Sequence, residues 1–213
     1  AARARVLLVN TNLVAPEQMP GSIYDLADAR WKGRVGIGKP LFGTTATHTA
    51  CLFATLGDEK AQSFLESLKA NEIRVEAGNK AVALSVAAGT LAFGLTDTDD
   101  AIEEVEGGKP VAIVYPDNRD GQMGVLFIPN SLSLIKNAPH RTNGVKLIEY
   151  LLSPEVESAL AVSRSAQIPL NPAVMTRSRV KTPADVKALA VNFPEAAQAF
   201  ARSVACVERL FLK

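Results

Sequence analysis

Between Arg5 and Pro116, short apolar runs alternate with segments of helical periodicity, an order that few folds accommodate. The run RVLLVN (5–10) is continuously apolar, as expected of a strand buried on both faces. RVGIG (34–38), IRVEA (73–77), TLAFGLTD (90–97) and VAIVYP (111–116) repeat the signal. Between them, Pro16, Pro20 and Gly21 punctuate the chain before a short helical turn at Ser22 to Leu26. A helix opens within PLFGTTATHTACLFATLG (40–57), and Ala61, Phe64, Leu65 and Leu68 mark a second one at spacings i, i+3, i+4 and i+7. NKAVALSVAAG (79–89) reads as a helix closed by Gly89, and DDAIEEVEGG (99–108) as a shorter one. This alternation predicts an α/β lobe with a mostly parallel sheet over residues 11–117.

The pattern changes at YPDNRDGQMG (115–124), a turn-rich crossing. VLFIPNSLSLI (125–135) predicts one further strand, and helices follow over Pro139 to Leu152 and Ser153 to Val162. Ser153 can cap the second of these, Pro154 suits its first position, and Glu155 and Glu157 favour its positive end. AQIPLNP (166–172) is a loop, and residues 191–213 form a last helix. Three parts result: a crossing strand at 1–10, a complete lobe at 11–117, and a crossing strand plus helices of a partner lobe at 118–213. The first strand begins almost at residue 1, as in a piece of something longer. The helices after Gly124 have too few strands of their own, so this chain alone is expected to expose apolar surface or to self-associate.

Charge and composition remove several classes of function. Net charge is +1 and no block of Lys or Arg forms, so there is no electrostatic footprint for nucleic acid. No apolar run approaches the roughly 18–20 residues that span a bilayer, and the start lacks a charged-then-apolar leader pattern. Cys51 and Cys206 read as two buried thiols in preference to a disulfide. There is no G-x-S-x-G, H-E-x-x-H or P-loop, so the chain is read as a binding protein and not an enzyme.

Two stretches carry candidate binding residues. The helix at Gly43 begins with a glycine and hydroxyl residues, Thr44, Thr45 and Thr47. A first helical turn leaves backbone N–H groups free and carries about half a positive charge, so an anion can settle there. The competing reading is that a threonine merely caps the helix. His48 is expected on the helix surface, and Trp31 in the core. The second stretch is TDTDDA, where Asp97, Asp99 and Asp100 follow the carboxyl end of a strand, the usual place for a binding crevice. Asp100 with Glu103 also fits a capping arrangement. Three carboxylates in four positions repel one another unless a cation or an amine compensates them. Asp99 and Asp100 are the candidate metal ligands, suited to hard cations such as ferric, magnesium, calcium or manganese ions. Tyr115 ends a strand where it either reaches the cleft or packs locally.

ARVLLVN, SIYDLADARWKGRVGIG, the Gly/hydroxyl helix start, AGNKAVALSVAAGTLAFGLTD, the glycine crossing and LSPEVESALAVSRSAQIPLNPAV occur in an order that resembles the later two-thirds of bacterial extracellular solute-binding proteins of ABC importers. The branch it resembles is family 1, close to the ferric-ion-binding proteins. The resemblance implies a periplasmic-binding-protein-like type II fold: one complete lobe plus the helical return segment of another, without most of the first lobe. It implies a periplasmic or extracytoplasmic site of action, a membrane permease as partner, no cofactor, and a small ligand, with ferric ion and a synergistic anion as one case. Within it, Gly43 and Thr44 match backbone donors to an anion, and Asn79 a polar residue at the next helix start. The family's paired iron-binding tyrosines fall near Asp99 and Asp100, and Asp97 replaces a neighbouring polar residue. An amine-bearing organic anion such as an amino-phosphonate is the alternative ligand: the Gly43 helix end would hold its anionic group and the aspartates its ammonium. The ligand-sensing domain of a transcription regulator is the alternative role.

Overall fold

A computed structural model describes residues 1–211. Six strands form the sheet: β1 (Ala2–Asn10), β2 (Val35–Gly38), β3 (Arg74–Glu76), β4 (Phe93–Asp97), β5 (Val111–Val114) and β6 (Phe127–Pro129). The helices are α1 (Gly43–Leu56), α2 (Asp58–Ala70), α3 (Asn79–Ala87), α4 (Thr98–Glu106), α5 (Arg141–Leu151), α6 (Pro154–Val162) and α7 (Phe193–Phe211). The turn expected at Ser22 is a 3₁₀ segment, Ile23–Ala27, with Ser22 and Asp25 forming a capping box. The last helix was expected to continue through Lys213, but residues 212–213 lie outside the described residues.

The main sheet runs β3-β2-β4-β1-β5, with β6 pairing the start of β1. A mostly parallel sheet was expected over residues 11–117. Parallel pairing holds for β2 with β3 and β4, whereas β1 is antiparallel to β4, β5 and β6. The reason is connectivity: β2 to β5 are joined by helices that carry the chain back to the same end, while β1 enters between β4 and β5 without such a crossover. Apolar run length reports burial and is silent on strand direction.

As a central strand, β1 is covered on both faces. Leu7 and Val9 join a cluster with Trp31, Val35, Leu52, Phe53, Phe64, Leu65, Leu68 and Phe93. Ala4, Val6 and Leu8 face the other way, against Val82, Ala83 and Val86 of α3 and Ala101 and Ile102 of α4. Trp31 is thus a core residue. The helix α7, although it belongs to the stretch 118–213, buries Ala199, Cys206 and Val207 in the first of these clusters and packs on α1 and α2. Its apolar stripe, repeating at helical spacing, draws the C-terminal end of the chain back onto the lobe. Both cysteines are free and buried, and burial pushes the Cys51 thiol up to about 11.

The strand expected over 125–135 shortens to β6, because β6 pairs only with Ala2, Arg3 and Ala4. Beyond it every residue of α5 is at least partly exposed, and Ile135, Leu147, Tyr150 and Leu152 stand out to solvent. That is the exposed apolar surface expected of the helices after Gly124.

Candidate functional site

Strand β2 ends just before α1, β3 just before α3, and β4 runs directly into α4. Because these strands point the same way, the three helices begin at one edge of the sheet, which is where open α/β sheets place their crevices. No side-chain cap closes any of them: the N-cap positions are Phe42, Gly78 and Asp97. Gly43 opens α1 at φ +63, a left-handed conformation that a glycine adopts without strain.

Side chains from the three helix starts meet around a residue that sequence reasoning missed, Arg5 of β1. It is fully buried. Arg5 and Asp97 are directly opposed across the β1–β4 ladder, and Arg5 Nη1 lies 2.6 Å from Asp97 Oδ1. The same nitrogen donates to Asn79 Oδ1 at 3.0 Å and to Thr44 Oγ1 at 3.3 Å, and Arg5 Nη2 donates to Thr45 Oγ1 at 3.3 Å. Asp97 Oδ2 accepts from Thr44 Oγ1 at 2.5 Å and from Asn79 Nδ2 at 2.9 Å. Thr45 Oγ1 donates to Asn79 Oδ1 at 2.9 Å. Gly38, at the end of β2, permits this approach, since a Cβ there would stand 2.9 Å from Asn79 Oδ1 and 3.1 Å from its backbone nitrogen.

Thr44, Thr45, Asn79 and Asp97 are therefore brought together, but as a mutually satisfied group. The threonine hydroxyls expected to face a ligand already donate inward, and Thr47 Oγ1 donates to the Gly43 carbonyl. Left outside this group are the backbone donors at the uncapped start of α1 and the next two carboxylates, Asp99 and Asp100.

His48 corrects its expected surface position. It is 4% exposed, and its Nδ1 accepts from Arg5 Nε at 3.4 Å. The helix α1 lies between the sheet and α7, so the face carrying Thr45, His48, Thr49 and Leu52 is interior. Burial, and then the Arg5 charge, push His48 down to about 3.

Asp97, Asp99 and Asp100 can each direct one oxygen to within 4.8 Å of the others. Both oxygens of Asp97 already accept. Asp99 Oδ2 is paired with Arg3 Nη1 at 3.0 Å, whereas Asp99 Oδ1 is buried and has no hydrogen-bond partner among the described residues. Burial raises the Asp99 carboxyl above its ordinary value against the pull of Arg3; burial, Asp99 and Asp97 together push Asp100 up to about 6. Burial, which disfavours the charged form, is the first cause of both shifts, and the neighbouring carboxylates add to it. Asp99 and Asp100 thus place hard carboxylate oxygens near one another, a chemistry that suits a cationic centre.

Tyr115 is not brought into this group. It packs with the Ala4–Val6–Leu8 face, and its hydroxyl accepts from the Lys181 backbone N–H at 2.9 Å. Arg3 and Arg5 escaped notice because each reads as one charge at the edge of an apolar run. The register that sets Arg5 opposite Asp97 is a long-range property.

The family model for bacterial extracellular solute-binding proteins matches residues 1–198. Iron uptake protein A1 of Synechocystis sp. is 28% identical over 194 residues, covering 84% of this chain and 53% of that protein. A periplasmic protein of Salmonella typhi assigned to 2-aminoethylphosphonate binding is 30% identical over 146 residues, covering 67% of this chain and 43% of that protein. The chain thus spans about half the length of these curated relatives. Iron-bound HitA from Pseudomonas aeruginosa superposes with a TM-score of 0.84 at 22% identity, over 99% of this chain and 67% of that one, and shares the fold.

Proposed function

The chain belongs to the bacterial extracellular solute-binding proteins, and on that premise we propose that it forms part of the ligand-capturing component of an ABC importer. It acts outside the cytoplasm, closes on a small solute between two lobes, and delivers it to a membrane permease without chemical turnover. The observation that carries the reading is the juxtaposition, at one sheet edge, of uncapped helix starts with Asp99 Oδ1, which has no partner among the described residues, and the neighbouring Asp100. The first favours an anionic group and the second a cationic centre. A ligand that joins both charges fits this edge, and ferric ion with a synergistic anion is one such ligand. The relatives named for iron uptake and for 2-aminoethylphosphonate binding support that class.

A specific feature favours the amine-bearing alternative. Asp97 is paired with Arg5 and Asp99 with Arg3, while Asp100 has no ion-pair partner among the described residues. One unpaired carboxylate suits a single ammonium, with the phosphonate at the α1 start. Calorimetric titration of the full-length, ligand-stripped protein with ferric nitrilotriacetate and with 2-aminoethylphosphonate, in wild type and in Asp99→Asn/Asp100→Asn, separates the cases. Loss of iron affinity in the variant supports the metal, and loss of affinity for the aminated compound alone supports the organic ligand. If neither titration responds to the substitutions, the acidic run is a helix cap and the site lies elsewhere.

A further inference from the structure

Four side chains from four segments close a hydrogen-bonded ring at Asp99. Arg3 Nη1 pairs with Asp99 Oδ2 at 3.0 Å, and Arg3 Nη2 donates to Asn130 Oδ1 at 3.1 Å. Asn130 Nδ2 donates to Gln167 Oε1 at 3.0 Å, and Gln167 Nε2 returns to Asp99 Oδ2 at 3.1 Å. A guanidinium only donates and a carboxylate only accepts, so both amides have a single consistent orientation. Each bond polarises the next towards Asp99. Backbone contacts anchor three sides of the ring. Ala2 and Ile168 exchange backbone hydrogen bonds of 2.8 and 2.9 Å, Arg3 faces Ile128 across the β1–β6 ladder, and Gln167 is 4% exposed. The fourth side is Asp99 in the first turn of α4, which joins the ring through Oδ2 while Oδ1 stays buried and unpaired among the described residues.

We infer that Arg3 and Gln167 are positioning residues, which together take up Asp99 Oδ2 and so present Oδ1 to the cationic centre of the ligand. This rests on the ligand reading above. It also ties the ligand-facing carboxylate to the loop that holds Gln167, 68 residues away in sequence.

Gln167→Met keeps the side-chain length and removes the donor. Arg3→Lys keeps the charge but lacks the fork that spans Asp99 and Asn130. In the full-length protein, both variants should bind the probe that wild type binds, ferric nitrilotriacetate or 2-aminoethylphosphonate, about tenfold or more weakly. Their melting temperatures should stay near wild type. Asp99→Asn is the control for the ligand reading itself. If Asp99→Asn loses affinity while Gln167→Met binds like wild type, the positioning role is overturned and the ligand reading stands. If wild type binds neither probe, or Asp99→Asn binds unchanged, the ligand reading falls. Hydrogen exchange without ligand then decides the ring: faster exchange at Ile102 and Glu103, which close the first turn of α4, supports it in Gln167→Met, and unchanged exchange overturns it.

Discussion

Acidification should destabilise the protein through His48, by an amount that the structure sets. His48 is buried and neutral, with Nδ1 engaged by Arg5 and its titration pushed from 6.5 to about 3. Between those values the unfolded chain carries a proton on this residue and the folded chain does not, so stability rises with pH through the interval. The effect is absent above 6.5 and grows as pH falls towards 3. At pH 5, one and a half units below the unfolded value, it amounts to about 2 kcal/mol, taking roughly 1.4 kcal/mol per unit. Because the folded form is scarcely protonated at pH 5, this figure follows from the unfolded value and hardly changes if the folded value moves by a unit. His48→Asn retains an oxygen acceptor for Arg5 Nε and does not titrate. Urea denaturation of both proteins at pH 7, 6 and 5 cancels the carboxylates they share. Wild type should lose about 2 kcal/mol more than the variant between pH 7 and 5. Parallel profiles would contradict a buried, neutral His48.

Arg5→Met should destabilise by roughly 3–5 kcal/mol, since it strands the Asp97 carboxylate without its buried counter-ion; chemical denaturation with little loss would mean that water reaches this pair. Gly38→Ala should cost about 1–3 kcal/mol by driving a methyl into Asn79, and the start of α3 should show the largest amide shifts; shifts spread evenly would argue against a local clash. The apolar groups of α5 should bind a hydrophobic dye in the 213-residue chain, and Leu147→Lys/Tyr150→Lys should reduce that signal. Equal dye binding would place the sticky surface elsewhere.

Much of the architecture was legible because burial leaves a periodic trace. β1, α2 and α3 could be read from runs and spacings, and Ser153 was placed as the cap whose side chain accepts from the Val156 N–H. Strand direction was not legible at β1, whose apolar run has no polarity. His48 was misplaced because a helix covered by the sheet on one side and α7 on the other has no outer face at that position. The candidate site was half visible. Thr44 and Asp97 announce themselves by residue type at helix starts, whereas Asn79 was reached through the family resemblance alone. Arg5, which organises them, does so only through register with Asp97, and Arg3, Asn130 and Gln167 converge from positions 3, 130 and 167 through packing of remote segments.

A ligand should land at the edge where α1, α3 and α4 begin. Amide chemical-shift mapping of the full-length protein, titrated with 2-aminoethylphosphonate and separately with gallium(III) citrate as a diamagnetic trivalent probe, measures this directly. One of these probes should shift Gly43, Thr44, Asn79, Asp99 and Asp100 together and saturably. Shifts confined to other surfaces, such as the open groove beside Tyr24 and Glu59, or no saturable shift with either probe, would contradict that placement.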